Sequence, residues 1–327
     1  MSKKVTKIGV MTSGGDSPGM NAAIRAVVRT SIYNGLEVYG IMRGYAGLID
    51  NEIFKMDSRS VANILQRGGT ILKTSRSEDF MTPEGRKVAY DNLKEKGIDG
   101  LVIIGGDGSF KGAQVFSSEF DMPCIGLPGT IDKDIAGTDK TIGFDTAVNT
   151  AVEAIDKIRD TMDAHDRLFI VEVMGRDAGY IALHSGIATG AENIIIPETK
   201  TDIDVLIASL TDNERRKKLV NLIVVAEGGD FGDANELGAL IRKRIPKAET
   251  RVCILGHIQR GGAPSCEDRL IASHMGYYAV ESLLIGRFNV MVGVVNNKIS
   301  YTPLDKAVKE KQKIGQEWMK IVKILAS

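Results

Sequence analysis

Cysteine, proline, tryptophan and net charge are all scarce in this chain, and each shortage excludes something. Three cysteines among 327 residues, Cys124, Cys253 and Cys266, are odd in number and show no paired metal-ligand spacing, which argues against a disulfide framework or a zinc site and fits a reducing cytoplasm. The 42 Lys+Arg cancel 42 Asp+Glu, so there is no global field for wrapping nucleic acid or docking on an anionic membrane, and any phosphate chemistry must be local. No apolar run approaches the roughly 18 residues of a membrane span. The apolar stretch after Met1–Lys7 breaks at Thr12–Asp16, too early for a signal sequence. With 8 prolines and a single tryptophan, the chain has no Pro/Ser-rich linker, low-complexity tract or fixed-period repeat to divide it.

Glycine, by contrast, is abundant: 36 residues, well above the usual roughly 7%. The glycines fall in a recurring unit of a short apolar run, a Gly-rich turn and a helical periodicity, which predicts βα units on a parallel sheet. Ile8–Met11 runs into Thr12–Gly19, with a helix stopping near Asn34-Gly35. Leu101–Ile104 runs into Gly105–Ser109, and Cys124–Leu127 into Pro128–Asp134, followed by a long helix from about Asp145 to Asp160. Leu168–Val173 leads to Met174-Gly175-Arg176, Leu222–Ala226 to Glu227-Gly228-Gly229, and Val252–Leu255 to Gly256–Gly262. In open α/β sheets ligands sit beyond the carboxyl ends of the strands, so these turns share one side. A domain boundary is suggested near Gly143, and Asp305–Ser327 predicts an amphipathic helix around Trp318, Ile321, Val322 and Leu325.

Chemistry concentrates in the turns. Ser13-Gly14-Gly15-Asp16 offers backbone N–H groups at a helix start, a phosphate cradle that lacks the Lys-Ser/Thr pair of a Walker A loop. Gly105–Ser109 adds Asp107, a hard oxygen ligand of the kind Mg²⁺ prefers when it keeps waters and phosphate oxygens. Its Gly106-x-Gly108 pattern with Gly112 matches a dinucleotide fingerprint poorly, since the third glycine comes late and no acidic residue stands about twenty residues onward. Thr130, Asp132, Asp134 and Asp139 crowd one turn with Lys133 and Lys140; the like charges need compensation, and an Asp there can take a hydroxyl proton. Arg76, Arg167, Arg176, Arg251, His257 and Arg260 supply cations suited to phosphorylated ligands. Singly, each feature also reads as a tight turn, a solvated acidic loop or a surface arginine. Jointly, without covalent machinery, they describe phosphoryl transfer by positioning and electrostatics.

Thr12–Asn21, Gly105–Ser109, Leu127–Asp134, Val171–Arg176 and Leu255–Gly262 together resemble, in order, the motifs of the bacterial ATP-dependent 6-phosphofructokinases. The resemblance implies an α/β fold of two similar lobes, with mostly parallel sheets flanked by helices. It places an ATP-binding lobe at 1–142 and 259–308, and a fructose 6-phosphate-binding lobe at 143–258 and 309–327. It implies ATP-dependent phosphorylation of the C1 hydroxyl of D-fructose 6-phosphate, the committing step of glycolysis, by a cytoplasmic homotetramer whose active sites are shared between subunits. Carried over residue by residue, it assigns Gly15, Arg76, Ser77, Gly106, Asp107, Gly108 and Ser109 to ATP, with Asp107 on Mg²⁺. Asp132 becomes the general base, and Thr130, Met174, Gly175, Arg176, Glu227, His257 and Arg260 the sugar-phosphate site, joined by Arg167 and Arg251 from a neighbouring subunit. Arg76 and Arg176 also stabilise charge on the transferring phosphoryl group.

Family members that use pyrophosphate carry an acidic residue where Gly108 stands and a lysine where Gly129 stands, so the glycines here favour ATP. A dinucleotide-dependent dehydrogenase, motivated by the loose glycine pattern, is a rival from a different class. A nonenzymatic sugar-phosphate sensor, in which Asp132 is dispensable, is a third. One departure from the family pattern is Lys133, where the usual Thr-Ile-Asp-Asn-Asp has asparagine; a lysine between aspartates favours their ionised forms. The resemblance further implies an allosteric site for ADP or phosphoenolpyruvate, with Arg25 and Arg29 one helical turn apart and Arg159, Glu192, Arg216, Lys217 and Lys218 as candidates.

Overall fold

Residues 5–162, 168–215, 221–229 and 232–325 are described by the structure, a computed structural model. The chain begins β1 (Lys7–Ser13), α1 (Met20–Tyr33), β2 (Glu37–Ile41), α2 (Tyr45–Ile49), β3 (Ile53–Met56), α3 (Pro83–Lys96), β4 (Gly100–Gly105), α4 (Asp107–Phe120), β5 (Cys124–Pro128) and α5 (Phe144–Met162). It continues with β6 (Leu168–Val173), α6 (Tyr180–Ala188), β7 (Asn193–Ile195), α7 (Ile203–Arg215), β8 (Asn221–Ala226), α8 (Ala234–Arg244) and β9 (Thr250–Ile254). The last elements are α9 (Cys266–Leu284), β10 (Val290–Val295), β11 (Lys298–Pro303), α10 (Leu304–Lys309) and α11 (Gln316–Leu325). Two units divide the chain, Met1–Thr146 with Arg260–Gln312, and Ala147–Gln259 with Lys313–Ser327.

The first unit is built on a sheet ordered β11-β10-β5-β4-β1-β2-β3. Its inner pairings are parallel, and β2–β3 and β10–β11 turn antiparallel at the two edges. Period-two alternation sends Ile8, Val10, Val102, Ile104, Ile125, Leu127, Val292 and Val294 to one face, where they pack with Ile24, Val27 and Val28 of α1 and Met275, Ala279 and Val280 of α9. Met11, Leu101, Ile103, Cys124 and Met291 face the other way, onto Leu93 of α3 and Phe110 and Phe116 of α4. Strands covered on both faces explain why their sequences are continuous apolar runs. The α1–α9 contact is close because Gly276 has no side chain: a Cβ there would lie 2.7 Å from that of Ala26.

The second unit holds a parallel sheet ordered β7-β8-β6-β9 among the described residues. Ile170, Ile223 and Val225 pack on Leu206 and Leu210 of α7 and Leu237 and Ile241 of α8.

The tail differs from the single amphipathic helix its sequence suggests. It breaks into α10 and α11, with an extended stretch between them in which Lys311 pairs with Ile135 in an isolated antiparallel bridge. Backbone pairing with a distant loop outweighs the local periodicity there.

Candidate active site

In the first unit three parallel strands end at one level. Ser13 of β1 is in register with Gly105 of β4, and Gly105 with Pro128 of β5, so the turns after them emerge side by side. Ser109 Oγ donates to the Ser13 carbonyl at 3.0 Å, tying the second turn to the first. Gly129 N–H donates to the Gly105 carbonyl at 3.0 Å, tying the third to the second. Gly14 has φ +85, left-handed backbone suited to glycine. A Cβ on Gly15 would run into the Arg260 guanidinium, whose Nη1 donates to the Asp16 carbonyl at 3.2 Å.

Asp107 is the first residue of α4, where backbone N–H groups and the helix dipole favour anions. Its Oδ1 accepts the Gly108 N–H at 2.6 Å, and among the described residues it has no ion-pair partner. A Cβ on Gly108 would meet nothing within 4 Å, whereas one on Gly129 would come within 3.0 Å of Ile104 Cγ2 and Met20 Cε. Arg76 is exposed, makes no ion pair among the described residues, and its carbonyl accepts the Ser75 hydroxyl at 2.9 Å. Ser77 Oγ accepts the Phe80 N–H at 3.3 Å.

In the turn after β5, Thr130 Oγ1 accepts the Asp132 N–H at 3.1 Å. Lys133 takes φ +55 and sets its ammonium 4.7 Å from the Phe144 ring centroid; burial lowers its pKa below the ordinary lysine value. The loop's exit is held by Asp268 of α9, whose side chain is fully buried. Its Oδ1 accepts Gly143 N–H at 2.8 Å, and its Oδ2 accepts the Thr146 N–H at 2.8 Å and the Thr146 hydroxyl at 2.5 Å. Desolvation raises the Asp268 carboxyl to about 6 despite these bonds, which act in the opposite direction.

In the second unit β6 delivers Met174-Gly175-Arg176. Glu227, at the end of β8, accepts the N–H groups of Gly175 at 3.3 Å and Arg176 at 2.9 Å through Oε1, so one carboxylate holds the turn that presents Arg176. Gln259, fully buried, accepts the Met174 N–H at 3.2 Å. His257 is exposed; Arg251, on β9, is exposed and paired with Glu249. Arg167 lies outside the described residues, as do Arg216, Lys217 and Lys218.

The remaining effector candidates fall in both units. Arg25 and Arg29 sit on α1 of the first, and Arg25 is pushed below the ordinary arginine pKa by burial and then by Arg29. In the second, Arg159 Nη2 donates to the Gly190 carbonyl at 2.6 Å while its Nε is buried without a partner, and Glu192 Oε2 accepts the Leu222 N–H at 2.8 Å.

Sequence alone assigns no role to Asp268, Gln259 or Gln312. Ser265-x-x-Asp268 has capping-box spacing, and Ser265 Oγ does accept the Asp268 N–H at 3.2 Å. That the carboxylate serves α5 instead of its own helix is visible only in three dimensions.

A family model described as Phosphofructokinase matches residues 7–283, a span that contains every motif above. The chain belongs to the phosphofructokinase family. It is 53% identical over 319 residues to the ATP-dependent 6-phosphofructokinase 2 of Bacteroides thetaiotaomicron, covering 98% of each chain. It is 54% identical over 320 residues to the ATP-dependent 6-phosphofructokinase 1 of Thermus thermophilus, covering 98% of this chain and 99% of that one. Among solved structures, phosphofructokinase from Saccharomyces cerevisiae superposes with a TM-score of 0.88 at 39% identity; the match covers 93% of this chain but spans only 45% of the yeast chain. A pyrophosphate-dependent phosphofructokinase from Marinobacter aquaeolei shares the fold, with a TM-score of 0.85 at 23% identity.

Proposed function

We propose that this family member is an ATP-dependent 6-phosphofructokinase that transfers the γ-phosphoryl group of ATP to the C1 hydroxyl of D-fructose 6-phosphate, in the cytoplasm. The observation that supports the reading is the common level of the β1, β4 and β5 ends, which brings the turns that carry Gly14-Gly15, Asp107 and Asp132 side by side. The first unit serves the nucleotide: Gly15 and Gly106–Ser109 line its phosphates, with backbone N–H groups not already bonded donating to phosphate oxygens, and Arg76 and Ser77 join them. Asp107 suits Mg²⁺, since its carboxylate has no competing cation among the described residues. No three metal-ligating side chains cluster among the described residues, and a magnesium site of one carboxylate completed by phosphate oxygens and water is the usual kind. Bound there, magnesium would neutralise charge on the phosphates.

Asp132 takes the C1 hydroxyl proton as that oxygen bonds to the γ-phosphorus, and the bond to the β-phosphate bridging oxygen breaks to release ADP. Thr130 steadies the Asp132 backbone. Arg76 and Arg176 offset charge on the group in transit. Met174, Gly175, Arg176, Glu227, His257 and Arg260 hold the sugar phosphate, with Arg251 and Arg167 contributed by a neighbouring subunit of a homotetramer. Arg25 and Arg29, a like-charge pair one turn apart and unpaired among the described residues, support an effector site between subunits for an anion such as ADP or phosphoenolpyruvate; Arg159, Glu192, Arg216 and Lys218 are the further candidates for that role.

A coupled assay of fructose 6-phosphate phosphorylation with ATP and magnesium tests the reading, and faster turnover with pyrophosphate would reverse the donor. Asp132→Ala is expected to lower turnover about 10²- to 10⁴-fold while ATP affinity holds. Undiminished turnover would remove Asp132 from the chemistry.

A further inference from the structure

The loop that carries Asp132 is held along its length by distant chain. Its far part is fixed from β11 and the β10–β11 turn: the hydroxyls of Ser300 and Thr302 donate to the Gly137 carbonyl at 3.1 and 3.3 Å, and Asn296 N–H donates to Asp139 Oδ2 at 2.7 Å. Its near part, next to Asp132, meets the stretch between α10 and α11. Ile135 pairs with Lys311 in the antiparallel bridge, and Gln312 N–H donates to the Asp134 carbonyl at 3.1 Å. The end of the Gln312 side-chain amide that meets the loop faces only carbonyl oxygens, which assigns the nitrogen to that end; so oriented, it donates to the Lys133 carbonyl at 3.2 Å and the Thr138 carbonyl at 3.0 Å. One glutamine therefore engages three loop carbonyls, two of them in the peptide units that follow Asp132.

Those peptide units need holding. Lys133 sits at φ +55, a conformation an L side chain keeps only where its surroundings impose it. Relaxation of Lys133 to negative φ would swing the peptide that follows it and, through the chain, the direction of the Asp132 carboxylate. The Asp132 N–H is itself anchored on the Thr130 hydroxyl. A primary amide has two N–H donors and so can span two carbonyls at once, which a single backbone N–H cannot.

We propose that Gln312 is a positioning residue for phosphoryl transfer: a strap from the chain's last segment that keeps the Thr130–Thr138 loop in the geometry aiming Asp132 at the acceptor hydroxyl, a role that rests on Asp132 being the base. Gln312→Met keeps the length and the backbone N–H while deleting both side-chain donors. Gln312→Glu turns the donors into acceptors facing two carbonyls. In each, kcat at saturating substrates is expected to fall roughly ten- to a hundredfold, with KM for ATP held and thermal melts confirming a folded enzyme. Gln312→Asn, one methylene shorter, should lose less.

The decisive readout is a double-mutant cycle. A strap that acts through Asp132 has nothing to aim once the base is gone, so Gln312→Met should not slow Asp132→Ala further. Unchanged kcat in Gln312→Met and Gln312→Glu overturns the proposal. So does an equal loss in the Asp132→Ala background, or a rise in KM for ATP that matches the loss in kcat, since each marks a purely structural role. Wild-type turnover by Asp132→Ala alone overturns the base assignment and the strap's target with it. That failure is distinct from loss of the strap alone, in which Asp132→Ala is slow and Gln312→Met is not.

Discussion

Lys133 and Arg176 carry φ +55 and +57, left-handed backbone that costs an L residue about 1–2 kcal/mol, and both stand in turns that the proposed chemistry uses. At Lys133 the Phe144 ring beneath the half-buried ammonium offsets part of that cost, about 0.5–2 kcal/mol for a cation–π contact. The asparagine that the resemblance leads one to expect visits the same region more readily, so the lysine found here carries a backbone cost apart from its charge. The proposed choice of donor would rest on single residues as well. Gly108 opens onto free space, whereas Gly129 is hemmed in by Ile104 and Met20, so the acidic residue of pyrophosphate users can be installed at the former without displacing the core. Gly108→Asp is expected to fold normally and to raise KM for ATP about tenfold or more, because a second carboxylate beside Asp107 repels the phosphates. Steady-state kinetics with ATP and pyrophosphate check it, and an unchanged KM for ATP would refute it.

α5 has its N-terminus capped by a residue of another helix. Asp268 belongs to the first turn of α9, yet its oxygens take the N–H groups of Gly143 and Thr146 at the start of α5. Asp268→Ala would leave those donors buried and unpaired, an expected loss of about 2–4 kcal/mol, readable as a lower urea midpoint. The pH dependence has a definite sign. The folded carboxyl titrates at about 6 against an ordinary value of 3.8, so between these values the native state binds more protons than the unfolded chain. Its contribution to stability therefore declines as pH rises through that window and is level above it. Urea melts of wild type and Asp268→Ala across the window should show that slope only in wild type. This pairing lay beyond the sequence because Ser265-x-x-Asp268 reads as a local helix start, and nothing local says that the carboxylate leaves its own helix.

At the scale of the whole molecule, the proposed sharing of sites between subunits makes a prediction no single chain can meet. Asp132→Ala and Arg251→Ala, each poorly active alone, should regain turnover when dissociated and reassembled together, since some hybrid sites then hold an intact Asp132 and an intact Arg251 from different subunits. Mixed samples no faster than the sum of the parents would count against shared sites. The course of the whole chain also shows how far sequence reasoning reaches. Apolar runs at Ile8–Met11, Leu101–Ile104 and Cys124–Leu127 marked β1, β4 and β5, because strands buried on both faces must be apolar throughout. The edge strands β3 and β11, partly exposed and antiparallel, carry no such run and left no comparable mark. Local chemistry by itself determined the α/β class, the Gly-rich turns at strand ends and the kind of reaction their residue types suit, since backbone freedom, periodicity and charge are properties of neighbouring residues. Only the tertiary structure decided the level at which the three strands end, the reach of Asp268 to α5, and the break in the tail that lays Gln312 against the Asp132 loop. Those depend on hydrogen bonds between groups more than a hundred residues apart in sequence, or on strands pairing across the sheet, where nothing local records the partner.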